Sequence, residues 1–142
     1  MSDVLTPETF EFVLTNELKR AARSQNFVTL VLMEPRSGER ADAIRDIAAL
    51  VARELRETDL LATDDTTVSM VLLDADVQNS SRVIERVTAQ LQHYQFTAPV
   101  DIEIGAACCP THGADVETLK RVAVAARTGL APREPRGSLH AQ

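Results

Sequence analysis

A chain of 142 residues with a net charge of −6 is long enough to bury one sizeable core without metals or disulfides, so one domain is expected. The acidic balance excludes duplex nucleic acid as a partner class, because such binding needs Lys and Arg clustered on one face to displace counterions. Thirteen arginines stand against two lysines, Lys19 and Lys120, a bias that keeps any single arginine from being diagnostic.

No stretch approaches the roughly 20 apolar residues of a membrane span, so no membrane role is expected. The opening MSDVLTPE lacks the charged and apolar regions of a signal peptide, which makes the cytoplasm the expected location. Cys108 and Cys109 are adjacent and cannot staple distant parts of the chain; they read as small buried residues at a strand end. No metal or cofactor is expected.

In chain order, Thr6-Pro7-Glu8 supplies a cap, a pre-set φ and an acid at the positive end of a helix dipole. The helix is expected to run to about Arg23, with Phe10, Val13, Leu14, Leu18 and Ala21 as its packing stripe. Phe27 to Met33 reads as a buried strand, broken by Glu34, Pro35, Arg36, Ser37 and Gly38. From Ala41 to about Glu57, Ile44, Ile47, Ala48, Val51 and Leu55 recur on one helical face, opposite Arg45, Asp46, Arg53 and Glu54.

A β-hairpin follows, expected near the middle of the sheet. Leu60–Ala62 and Val68–Leu73 are its strands, and Asp64, Asp65 and Thr66 provide turn chemistry. A helix over about Val77 to Tyr94 turns Val83, Ile84, Val87 and Leu91 inward, and Asp101 to Ala106 alternates as a strand with one wetter face. Cys108 to Gly113 reads as a turn containing a surface His112. A last helix runs from about Val116 to Thr128, and a loose tail begins at Gly129 or Leu130. The expected order, αβαββαβα, describes an α/β sandwich with a mixed central sheet flanked by helices.

Several words in this order resemble the GGDEF (diguanylate cyclase) domain family. LTPETFEFVL resembles its LTGLxNRxxFxxxL opening, FVTLVLME its first strand ending in a metal-binding Asp, LRETDLLAT its LRxxDxxAR, and IEIGAACCPTHG its SIGVAxxPxxG. The resemblance covers most of residues 5 to 128 and implies a nucleotidyl-cyclase-like fold.

In that register the signature pentapeptide falls on Asp65, Thr66, Thr67, Val68 and Ser69, so no residue of GGDEF is kept. The resemblance implies two metal ions held by first-strand aspartates and an acid in the signature. Glu34 stands at the first-strand position, but Val68 occupies the second seat and has no ligand atom. EPRSGERADA replaces the longer family segment DxDxFKxINDxxGHxxGD, and the guanine-reading Asn and Asp have no counterpart. Asp64 and Asp65 at the tip repel a triphosphate by on the order of 1 kcal/mol per close pair. Catalytic residues are therefore expected to be absent, and so is enzyme activity.

The resemblance also implies an inhibitory RxxD site for cyclic di-GMP ahead of the signature, matched here by Arg56 and Asp59, with Arg86 as the arginine on the next helix and Arg82 as the fallback. An Arg fork suits guanine O6 and N7, and an Asp accepts from guanine N1 and N2. Against this stands a purely structural role, an arginine at a helix end and an aspartate opening a strand. Two functions are expected of such a chain: a cyclic di-GMP receptor through Arg56, Asp59 and Arg86, or a module that docks a signalling protein or a second copy of itself.

Overall fold

A computed structural model describes residues 4–36, 40–96 and 100–130. The elements are β1 (Val4–Leu5), α1 (Pro7–Ser24), β2 (Val28–Pro35), α2 (Arg40–Ala52), β3 (Leu60–Thr63), β4 (Val68–Leu73), α3 (Val77–His93), β5 (Ile102–Cys109), α4 (Val116–Ala125) and β6 (Thr128–Leu130). They form one mixed six-stranded sheet in the order β1-β3-β4-β2-β5-β6. β2 lies inside it, antiparallel to β4 on one side and to β5 on the other.

β2 is buried on both sides, which is why it reads as an apolar run with Thr29 as its one polar residue before Glu34. Val28, Leu30 and Leu32 join a core with Phe10, Leu14 and Leu18 of α1 and Leu119 and Ala123 of α4. Val31 and Met33 join a second core with Ile44, Ile47 and Val51 of α2 and Val87 and Leu91 of α3. Successive strand residues thus alternate between two helical layers.

The helix starts follow the caps in the sequence. Thr6 Oγ1 accepts from Thr9 N, Asp76 Oδ1 from Asn79 N at 2.9 Å and Asp115 Oδ1 from Thr118 N at 2.7 Å. The Asp115 carboxyl is held below its ordinary range by the Thr118 backbone N–H. α1 ends at Gln25, whose left-handed φ of 58° closes its last turn.

Four boundaries differ from the sequence reading. α2 stops at Ala52, short of Glu57, because the chain tightens into i→i−3 bonds, Glu54 N to Val51 O at 2.9 Å and Leu55 N to Ala52 O at 3.4 Å. β2 continues through Glu34 and Pro35, whose partners are Glu103 and Ile102; at a strand terminus the missing proline N–H does little harm. β5 extends to Cys109, so both cysteines lie in the strand, and burial followed by the neighbouring Cys108 pushes the Cys109 thiol up.

The fourth difference is at the C-terminal end. α4 closes at Ala125, and Thr128–Leu130 returns as a strand against Ile102–Ile104, so Gly129 and Leu130 belong to the sheet and not to a tail. The remainder of the expected tail, residues 131–142, lies outside the described residues, as do Ser37, Gly38 and Pro99. Gly105 is required where β5 meets α4: a Cβ there would sit 2.1 Å from the Ala123 carbonyl oxygen.

Candidate functional site

The loop between α2 and β3 is built around the Asp59 carboxylate, which is buried beneath the start of the hairpin. Its Oδ2 accepts from Arg56 N at 3.0 Å, and its Oδ1 accepts from Leu73 N at 3.1 Å and from Arg56 Nη2 at 3.4 Å. The Arg56 guanidinium also donates to the Leu73 carbonyl. One carboxylate therefore fastens the loop to the far end of β4.

Beyond Leu73 the chain turns sharply. Asp74 takes a left-handed φ of 59°, its N–H donates to Phe27 O at 2.8 Å, and Asp76 caps α3. That turn fixes where α3 begins and so places Arg82 and Arg86, one helical turn apart on a shared face.

The result is a cavity of about 350 Å³ between the end of α2, the hairpin base and α3, whose walls include Glu54, Arg56, Asp59, Asn79, Arg82 and Arg86. The three residues singled out in the sequence, Arg56 and Asp59 of the α2–β3 loop and Arg86 of α3, all line this cavity together with Arg82. Arg86 Nε donates to Glu54 Oε1 at 2.8 Å. Sequence reasoning missed Glu54, which read as part of the solvated face of α2.

The opposite end of the hairpin, about 17 Å along the strand at ~3.3 Å per residue, is organised differently. Asp64 N donates to Thr67 O at 3.0 Å, and Asp64 Oδ1 accepts from Thr66 N and Thr67 N, both at 2.8 Å. The turn consumes its own amides and one of its two carboxylates. Val68 is fully buried between Met33 and Thr63 in the α2/α3 core.

Glu34, the first-strand acid, follows Leu32 in the alternation of β2 and so belongs to the α1/α4 layer, the side opposite Val68. Signature residues on the Glu34 side are Thr67 and Ser69, which line a smaller cavity of about 220 Å³ with Phe10 and Leu32. They offer hydroxyls where a metal pair wants carboxylates.

The Glu34 carboxylate is also occupied. It accepts from Arg127 Nη1 and lies 3.9 Å from Arg36 Nη1, while Arg36 and Arg127 both contact Glu103. Among the described residues no group of three or more His, Cys, Asp or Glu is placed to hold a metal ion. The donor set at this end does not fit the divalent cations that the cyclase resemblance implies. His112 is exposed, and its Nδ1 accepts from Cys108 N at 2.8 Å, a turn-closing contact.

No family model and no curated protein matches the sequence. Solved structures do match the fold. A DGC protein from Thermotoga maritima superposes with a TM-score of 0.78 at 15% identity, over 89% of this chain and 97% of that one. The chain has the GGDEF-domain fold. The GGDEF domain of TpbB (or YfiN) from Pseudomonas aeruginosa aligns with a TM-score of 0.75 at 19% identity, covering 87% of this chain and 81% of that one. The GGDEF domain of DgcB from Caulobacter crescentus, solved in complex with c-di-GMP, gives 0.73 at 12% identity over 87% and 83%.

The GGDEF frame accounts for the order of helices and strands expected from the sequence and adds the edge strands β1 and β6. Among the described residues no helix is long and apolar enough to cross a membrane.

Proposed function

We propose that this GGDEF-fold chain is a catalytically inactive signalling module that binds cyclic di-GMP in the cavity walled by Arg56, Arg82 and Arg86. The observation that carries this reading is the convergence of three guanidinium groups on one cavity of about 350 Å³. Arg82 and Arg86 sit four residues apart on one helix face, an arrangement of like charges that weakens a helix unless an anion offsets it. Planar Arg forks suit both guanine O6 and N7 and the phosphates of such a ligand. In this reading Asp59 holds Arg56 and the hairpin base in place and leaves the ligand to the arginines.

Inactivity rests on the other end of the hairpin. Val68 is buried on the side away from Glu34, threonine and serine hydroxyls stand on the Glu34 side, and Arg127 neutralises Glu34. Incubation with GTP and Mg²⁺ is expected to give no cyclic product. Turnover that disappears in Glu34→Ala would overturn this half of the reading.

Calorimetric titration with cyclic di-GMP tests the other half. Wild type binds saturably, and Arg82→Ala and Arg86→Ala each weaken binding about tenfold, the loss expected of a charge-assisted hydrogen bond. A second reading, docking of a signalling protein, is favoured by Phe12, which is 69% exposed on α1. Recovery of one partner in the absence of nucleotide, with no calorimetric heat from cyclic di-GMP, would select it.

A further inference from the structure

We infer that Glu54 is a positioning residue of the arginine cavity: it fixes Arg86 through Nε so that the Nη1/Nη2 edge is presented to a pair of acceptors on an anionic guanine nucleotide. This rests on the reading of the cavity proposed above and assigns a role to a residue that neither the sequence motifs nor the fold family's RxxD pattern includes.

The geometry begins with the different settings of the two partners. The Glu54 side chain is only 17% exposed, whereas that of Arg86 is 55% exposed. Glu54 sits in the tightened turn after α2, its own N–H bonded to Val51 O, so the carboxylate is the fixed end of the pair and the long arginine is the movable one. Arg86 Nε meets Glu54 Oε1 at 2.8 Å, and among the described residues this is the guanidinium's one hydrogen bond.

A guanidinium is planar, so an anchored Nε sets the orientation of the whole group and leaves the distal Nη1/Nη2 edge pointing away from the anchor. That edge has the spacing to meet guanine O6 and N7 or two phosphate oxygens side by side. Arg56 contrasts with it, because its Nη2 already serves Leu73 O and Asp59 Oδ1. Of the three arginines lining the cavity, Arg56 is committed to the fold and Arg86 is held by its stem with its recognition edge available. Ordering a long side chain in advance removes part of the conformational loss on binding.

Glu54 also carries a negative charge into an arginine-lined cavity, which by itself opposes an anion. The two effects separate in a pair of variants. Glu54→Gln and Glu54→Ala both delete the charge, but only Gln keeps an oxygen that accepts from Arg86 Nε. Titration of the full chain with cyclic di-GMP is expected to show Glu54→Ala binding about threefold to tenfold more weakly than Glu54→Gln, with Glu54→Gln at least as tight as wild type. In an Arg86→Ala background the difference between the two variants vanishes.

Wild-type binding with Glu54→Ala as tight as Glu54→Gln overturns the positioning role and leaves the cavity assignment standing. Persistence of the difference without Arg86 also overturns it. Absence of heat from wild type and both variants overturns the cavity assignment, and the positioning role falls with it.

Discussion

The two ends of the hairpin β3–β4 offer the same kinds of side chain, carboxylates and arginines, yet they handle them in opposite ways. At the tip Asp64 is spent on its own turn, and Glu34 is locked between Arg36 and Arg127. At the base Asp59 is equally committed to the fold, but Arg82 and Arg86 line an open cavity with guanidinium atoms still available. The difference teaches where this fold leaves polar side-chain atoms over once the backbone has been satisfied. In this chain those atoms are at the base.

The largest effect that bears on this contrast comes from trying to rebuild the tip. Val68→Glu puts an ionisable group in a fully buried seat between Met33 and Thr63. It should lower stability by about 3–5 kcal/mol in chemical denaturation and yield no GTP turnover. A stable, active Val68→Glu would erase the distinction between the two ends.

Next is Asp59. Removing its carboxylate leaves the Arg56 and Leu73 backbone N–H groups without their acceptor in a buried setting, so Asp59→Ala should cost about 2–4 kcal/mol. Asp59→Asn, which retains one acceptor oxygen, should cost about half as much. Weakened nucleotide binding at full stability would mean that Asp59 touches ligand directly and does more than fasten the loop.

How much of this was legible in the sequence follows the same division. The cap at Thr6 and the apolar stripes of the four helices are local signals, and each helix starts close to where they place it. β1 and β6 are two and three residues long, too short for any alternation to register. The sequence reads α2 as too long because Arg53 to Glu57 keeps helical composition, while the helix ends in the tightened turn at Glu54 and Leu55. β5 was read too short because Ala106 to Cys109 lacks the polar alternation that marks a half-wet strand.

Family resemblance points to Arg56, Asp59 and Arg86, and the three line one cavity with Arg82. Glu54 was missed because a glutamate on the polar face of a helix looks solvated until the structure brings Arg86, 32 residues later, against it. The loss of Glu34 to Arg127 is a contact across 93 residues, beyond the reach of local pattern. Val68 and Glu34 had been paired as metal seats, but strand alternation sends them to opposite helical layers.

The smallest expected effect concerns pH. Asp115 caps α4 with a carboxyl whose folded pKa lies below its ordinary value, so its contribution is full above the unfolded pKa of about 3.9 and is lost as pH falls through the folded value. Thermal midpoints of wild type and Asp115→Ala should differ at pH 6 and converge only as the solution is acidified below about pH 4. A gap that widens in acid would contradict the cap geometry.

The central claim is that the base of the hairpin binds while its tip does no chemistry, and one titration addresses it most directly. Cyclic di-GMP is added to the wild-type chain and to Arg86→Ala, both shown to melt alike. Saturable heat that weakens about tenfold in the variant is predicted; no heat from wild type at ligand concentrations up to about 1 mM, or equal affinity in the two proteins, would contradict it.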